Sequence, residues 1–196
     1  MTLAVTASEV LIAFIALLAG YLVGSIPTAR LISRAAGHDA LQEGERNPGS
    51  ANVWKIAGPG WGFLALTADL AKGVVPVAIG IVSWSWGTGW LAGVGALLGA
   101  CWPAFGRLPG GRGVATFSGV AFTLAPPAGT ISVLLTLAIV GIGKIVRRNA
   151  RVVAVATGIG SFPPLFMLVH QDPARLFALL VLYLIAVLRY VSTRGR

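Results

Sequence analysis

From Val10 to Ile32 the only charged side chain is Arg30, and apolar runs of this kind recur almost to the C-terminus. A helix needs about 20 mostly apolar residues to cross the hydrocarbon of a bilayer, so these runs restrict the chain more than any other feature. Further runs cover Trp61–Val82, Trp90–Phe105, Val114–Ala125, Ala128–Ile145, Val152–Val169 and Leu176–Val191. The fourth is short and contains glycine, which suits a half-helix or a segment merging with its neighbour. The runs are apolar on all sides and show no period-two alternation, so they predict helices and not barrel strands. The expectation is an all-α, polytopic integral membrane bundle of about seven transmembrane helices, forming a single domain over residues 1–196.

Composition agrees. Charged residues make up 11% of the chain and hydrophobic ones 56%, whereas a soluble domain carries about 25% charged residues. One cysteine, Cys101, and two histidines, His38 and His170, exclude a disulfide framework and argue against a zinc site. No metal or cofactor is expected. The formal net charge of +9 does not point to nucleic acid, because the basic residues are sparse and sit between apolar runs, as membrane flanks do. The N-terminus has no Lys or Arg before Arg30, carries Glu9 and stays apolar beyond the length of a signal core. It reads as a retained first span.

Orientation follows from the basic residues. Arg30, Arg34, Arg46 and Lys55 flank the first connection, Arg107 and Arg112 lie in the third, and Lys144, Arg147, Arg148 and Arg151 crowd the fifth. Arg189, Arg194 and Arg196 close the chain, so all but Lys72 and Arg175 fall on one side. The positive-inside rule makes that side cytoplasmic. With seven spans, the N-terminus lies outside and the C-terminus inside.

Three polar features on that side exceed what a bundle needs. Gly44-Glu45-Arg46-Asn47-Pro48-Gly49-Ser50-Ala51-Asn52 is a tight-turn composition whose N–H groups can point at one ligand, with Ser50 or Asn52 available to cap a short helix. A plain solvent loop satisfies the same composition. Pro109-Gly110-Gly111-Arg112-Gly113-Val114-Ala115-Thr116 opens the fourth run. Glycines around a cation at a helix mouth suit a phosphate, though they also suit close helix packing. Asp69 and Lys72 are three apart within the second run, so they share a helix face and can pair. They form either an internal ion pair that locks the bundle or, through Lys72, one wall of an anion site. Gly24-Ser25-Ile26-Pro27 breaks or kinks the end of the first span, and Ser25 can point at the same pocket. His38 suits a solvated loop position and Cys101 a small core position. No nucleophile–base triad or carboxylate pair is available on this side, which favours chemistry by positioning and charge stabilisation.

Taken together, these motifs resemble the bacterial acyl-phosphate:glycerol-3-phosphate acyltransferases, small multi-pass enzymes of phospholipid synthesis. The family's G-S-I-P is matched by Gly24-Ser25-Ile26-Pro27, and its G-S-G-N-x-G-A-T-N by Gly44, Asn47, Gly49 and Asn52. Asp69, Lys72 and Gly73 match D-x-x-K-G. Gly99 and Pro103 match G-H-x-x-P, and Gly110, Gly111, Gly113, Val114, Ala115 and Thr116 match G-G-K-G-V-A-T. Glu45, Arg46 and Ala51 replace the first loop's Ser, second Gly and Thr. Leu41 stands at the upstream Arg, Ala100 at the His and Arg112 at the Lys, while Arg189-Tyr190 is what remains of the C-terminal R-H-x-x-N.

The resemblance implies transfer of a fatty acyl group from acyl phosphate to the 1-hydroxyl of glycerol 3-phosphate, giving lysophosphatidic acid at the cytoplasmic face of the cell membrane. It implies catalytic roles for Arg112, Asn47, Asn52 and Ser25. Phosphate binding falls to Gly110, Gly111, Gly113, Thr116, Arg46, Gly49, Lys72 and Asp69. Across both sets, the Gly110–Gly113 nest and Arg112 hold one phosphate while Asn47, Gly49 and Asn52 orient the other substrate. The implied partners are acyl phosphate, glycerol 3-phosphate, membrane lipid and an acyl-phosphate-producing enzyme. Two alternatives are a non-catalytic or re-purposed paralogue, favoured by Ala100 at the His position, and a small anion transporter using Asp69 and Lys72. The absence of an internal repeat weighs against the transporter.

Overall fold

Helix α1 (Ala7–Ser25) opens with a reciprocal cap in which the Glu9 N–H donates to the Thr6 hydroxyl and the Thr6 N–H donates to the Glu9 carboxylate. It ends at a proline. Pro27 has no N–H and disfavours helical geometry in the residue before it, and Ile26 is extended at φ −63° and ψ 122°. The chain re-enters a short amphipathic helix, α2 (Thr28–Ala35). The single span expected over Val10–Ile32 is therefore two helices, broken at the motif that the sequence marked.

The computed structural model describes residues 6–105, 109–127, 129–131, 134 and 173–192. After α2 come α3 (Ser50–Ala57), α4 (Pro59–Ser83), α5 (Trp86–Cys101), α6 (Val114–Leu124) and a C-terminal helix, α7 (Pro173–Ser192). All regular structure among the described residues is helical. Helix α4 matches the second expected span closely. Helix α5 begins and ends four residues before its expected span, because the Ser85 hydroxyl caps Thr88 N–H and Pro103 follows the last turn. At 11 residues, α6 is about 16 Å long at 1.5 Å per residue, so it is the half-helix reading that fits. The spans expected over Ala128–Ile145 and Val152–Val169 lie almost wholly outside the described residues. Among the described residues, two helical stretches, Ala7–Ala35 with its break and Pro59–Ser83, are long and apolar enough to cross a bilayer.

Close backbone contact holds the helices together. A Cβ on Gly24 would run into the Ala96 carbonyl, and one on Gly73 would run into the Thr116 carbonyl. These approaches bring α1 onto α5 and α4 onto α6, in the small-residue packing that membrane helices use where hydrophobicity gives no drive to associate. Large apolar side chains point outward instead: Phe14, Phe63, Ile79 and Val82 are all exposed. Helix α7 joins through buried Leu182 and Ala186, and through the Trp90 indole N–H, which donates to the Ala178 carbonyl at 2.9 Å. The polar connections between α2 and α3 and between α5 and α6 are thereby gathered at one end of the bundle.

Candidate active site between two glycine loops

The first loop is built around Asn52. Its side-chain amide donates to the carbonyls of Ala40, Glu43 and Asn47 at 2.9, 3.0 and 3.1 Å, and its Oδ1 accepts the Glu45 N–H at 2.7 Å. The residue is 1% exposed. The carboxamide is spent on the loop, so it organises backbone and does not face outward. The expected cap is also different: Gly49 takes the N-cap position of α3 with no side-chain hydrogen bond. Gly44 is left-handed at φ 62°, and a Cβ there would strike the Asn52 side chain. Arg46 is exposed and left-handed at φ 50°, a region that costs an L-residue about 1 kcal/mol. This is the position of the second glycine in the resembled motif. The Asn47 side chain packs over Gly49.

Upstream, the turn from His38 to Glu43 is pinned by carboxylates. Asp39 accepts from Leu41 N–H at 3.0 Å, from Arg34 at 3.2 Å and from Arg30 at 3.4 Å. The Leu41 N–H, then Arg30, hold its carboxyl below the ordinary range. Glu43 accepts the Asp39 N–H at 2.9 Å and meets His38 Nδ1 at 2.8 Å, and it too is held low, the backbone bond being the larger cause. His38, expected to be simply solvated, is thus tied into this turn.

The second loop is built from outside itself. Gly111 N–H donates to the Ala100 carbonyl at 3.0 Å. From α7, the Arg189 guanidinium donates to the carbonyls of Gly110 and Gly111 at 3.0 and 3.2 Å and lies 5.2 Å from the Trp102 ring centroid. Gly113 is left-handed at φ 71° and caps α6 without a side-chain bond, so the first-turn N–H groups of that helix keep their capacity for an anion.

The two loops meet. Arg112 Nη1 lies 3.7 Å from Glu45 Oε2, and Lys55 on α3 pairs with Glu45 Oε1. A Cβ on Gly111 would lie 4.0 Å from the Pro48 carbonyl.

Beneath the loops, Lys72 donates to Asp69 Oδ1 at 2.8 Å and to the Ile26 carbonyl at 3.1 Å, while the Thr28 hydroxyl donates to Asp69 at 2.6 Å. Both ionic residues are under 10% exposed. The pair therefore ties the α1–α2 break to α4, and of the two sequence readings the ion pair is the one its contacts express. Thr116, 2% exposed, donates its hydroxyl to the Asp69 carbonyl at 3.2 Å. Ser25 donates to the Tyr21 carbonyl at 2.7 Å and accepts from Ala104 N–H at 3.0 Å, pinning the α5–α6 connection to α1.

Arg112, Asn47, Gly49, Gly110, Gly111 and Gly113 thus come together at the loops, with Arg46 exposed on the first loop's surface. Asn52, Ser25, Asp69, Lys72 and Thr116 form the supporting layer. Arg189, Lys55 and the Ala100 carbonyl are further parts, whose positions carried only topological or negative weight in the sequence. Among the described residues no group of three His, Cys, Asp or Glu could hold a metal ion.

An apolar helical bundle thus carries polar glycine loops at one end with an arginine between them, a chemistry suited to an anion. The family model for glycerol-3-phosphate acyltransferase matches residues 14–196. A glycerol-3-phosphate acyltransferase of Pseudomonas syringae pv. tomato is 36% identical over 179 residues, covering 87% of this chain and 86% of that one. One from Rubrobacter xylanophilus is 45% identical over 116 residues, and one from Desulforudis audaxviator 40% identical over 127. These two matches span 57% and 64% of the relatives' own lengths. A crystal structure of PlsY, an integral membrane glycerol 3-phosphate acyltransferase, in its glycerol 3-phosphate form superposes with a TM-score of 0.81 at 28% identity, covering 94% of this chain and 90% of that one. The chain belongs to the glycerol-3-phosphate acyltransferase family and is an integral membrane protein. Neither the re-purposed paralogue nor the anion transporter is favoured by these matches.

Proposed function

We propose that this protein transfers a fatty acyl group from acyl phosphate to the 1-hydroxyl of glycerol 3-phosphate, releasing inorganic phosphate and lysophosphatidic acid. The observation that carries the reading is the meeting of the two glycine loops at Arg112, within a chain of this family. Both reactants bear phosphate. The α6 N-terminus, the Gly110–Gly113 backbone and the Arg112 fork suit one of them, and the Asn47–Gly49 turn orients the other. Asn52, Asp69, Lys72, Ser25 and Thr116 act as positioning residues that hold these surfaces in register.

The acyl carbonyl is already activated by its phosphate leaving group. Orientation of the hydroxyl and stabilisation of developing negative charge therefore supply the catalysis, without a strong protein base. The distribution of Lys and Arg supports about seven spans, an outside N-terminus and a site at the cytoplasmic surface of the cell membrane, where a soluble and a lipidic substrate can both arrive. An acyl-phosphate-producing enzyme is the corresponding partner.

The test is direct. Purified protein given acyl phosphate and labelled glycerol 3-phosphate should form lysophosphatidic acid, and Arg112→Ala should abolish it. Product no greater than the Arg112→Ala control refutes the activity.

A further inference from the structure

Glu45 stands where the resembled motif has serine, at the point where three elements meet. Its backbone N–H is fixed by Asn52, so its side chain is aimed from a rigid turn. Its two carboxylate oxygens face two cations from different segments, Lys55 of α3 and Arg112 of the second loop. The three side chains are 35%, 33% and 31% exposed for Lys55, Arg112 and Glu45, so a solute can reach all of them. Two cations and one carboxylate leave the trio with formal charge +1. A phosphate monoester dianion offers more charge and more acceptor oxygens than a carboxylate. Ion pairs this exposed hold weakly enough to exchange.

We propose that Glu45 occupies the phosphate clamp of Lys55 and Arg112 as an internal anion until a substrate phosphate displaces its carboxylate. Glu45 thereby sets how tightly the phosphate binds. It competes with substrate and takes no part in the chemistry. This inference rests on the acyltransferase reading for the identity of the phosphate, either glycerol 3-phosphate or acyl phosphate, but not for the clamp itself.

Titration of inorganic phosphate into the purified wild-type protein and Glu45→Gln tests the clamp without requiring turnover. Glu45→Gln should tighten phosphate binding about three- to tenfold, the scale expected for releasing two exposed ion pairs, and Glu45→Ser should do the same. Lys55→Gln should loosen phosphate binding. In the acyltransferase assay, Glu45→Gln should lower the KM of one substrate by a similar factor, exceeding any change in kcat. The substrate whose KM falls is the one that the clamp holds, whereas a purely structural role would depress kcat and melting temperature together. Unchanged or weaker phosphate binding in both Glu45 variants, with melting temperatures preserved, overturns the clamp. A wild-type protein that forms no product yet shows the phosphate effect overturns the acyltransferase reading alone.

Discussion

The two glycine loops are held in place by opposite means. In the loop from Gly44 to Asn52 the organiser belongs to the motif, since one interior carboxamide gathers three carbonyls and one N–H. The loop from Pro109 to Gly113 is held from elsewhere: the Ala100 carbonyl takes one N–H, and Arg189, 78 residues from Gly111 in sequence, takes two carbonyls. A self-organised loop keeps its shape when its surroundings move. An externally held loop is tied to the helices that hold it, so the geometry around Arg112 depends on the docking of α7.

The sharpest way to break this contrast is Asn52→Ala. It deletes four hydrogen bonds and leaves buried backbone groups without partners, and should cost about 4 kcal/mol, read as a large fall in thermal stability with the first loop the first part to lose hydrogen-exchange protection. Next comes Arg189→Lys, which keeps the charge but loses the fork. It should cost about 2 kcal/mol and reduce the rate of product formation about tenfold, with exchange quickening in the second loop and not in the first. Equal disturbance of both loops by either variant would erase the distinction. Arg46→Gly is expected to stabilise the protein by about 1 kcal/mol, by relieving the left-handed arginine.

The smallest effect is one of pH. Asp39 and Glu43 are held below their ordinary values of 3.8 and 4.5. Their contribution is complete above those values and is lost as pH falls through the lower folded ones. Exchange in the turn from His38 to Glu43 should therefore quicken only below about pH 4, while the second loop stays unaffected over the same range.

The same contrast explains what was legible in the sequence. Hydropathy located α4 and α7 and the bulk of α1 and α5, because a helix facing lipid needs an apolar surface whatever it packs against. The Pro27 break was readable because proline acts locally. Helix α2 was not read as an element in its own right, since eight residues carry too little periodicity, and α3 was anticipated only as a short helix capped by Ser50 or Asn52, where Gly49 takes the cap. The motif residues in both loops were visible, but their direction was not. Asn52 has the same donors and acceptors whether it binds a ligand or its own loop, and burial decides between the two. Lys72 was open for the same reason, and its contacts with Asp69 and the Ile26 carbonyl express the ion pair. The role of Arg189 had no local mark, and the Ala100 carbonyl is a backbone acceptor that any residue there would supply.

If both loops grip one set of substrates, a single ligand should protect both. Hydrogen exchange of the wild-type protein with and without glycerol 3-phosphate tests it most directly. Exchange should slow together in residues 44–52 and 110–116. Protection of one segment alone, or of neither at saturating ligand, would contradict it.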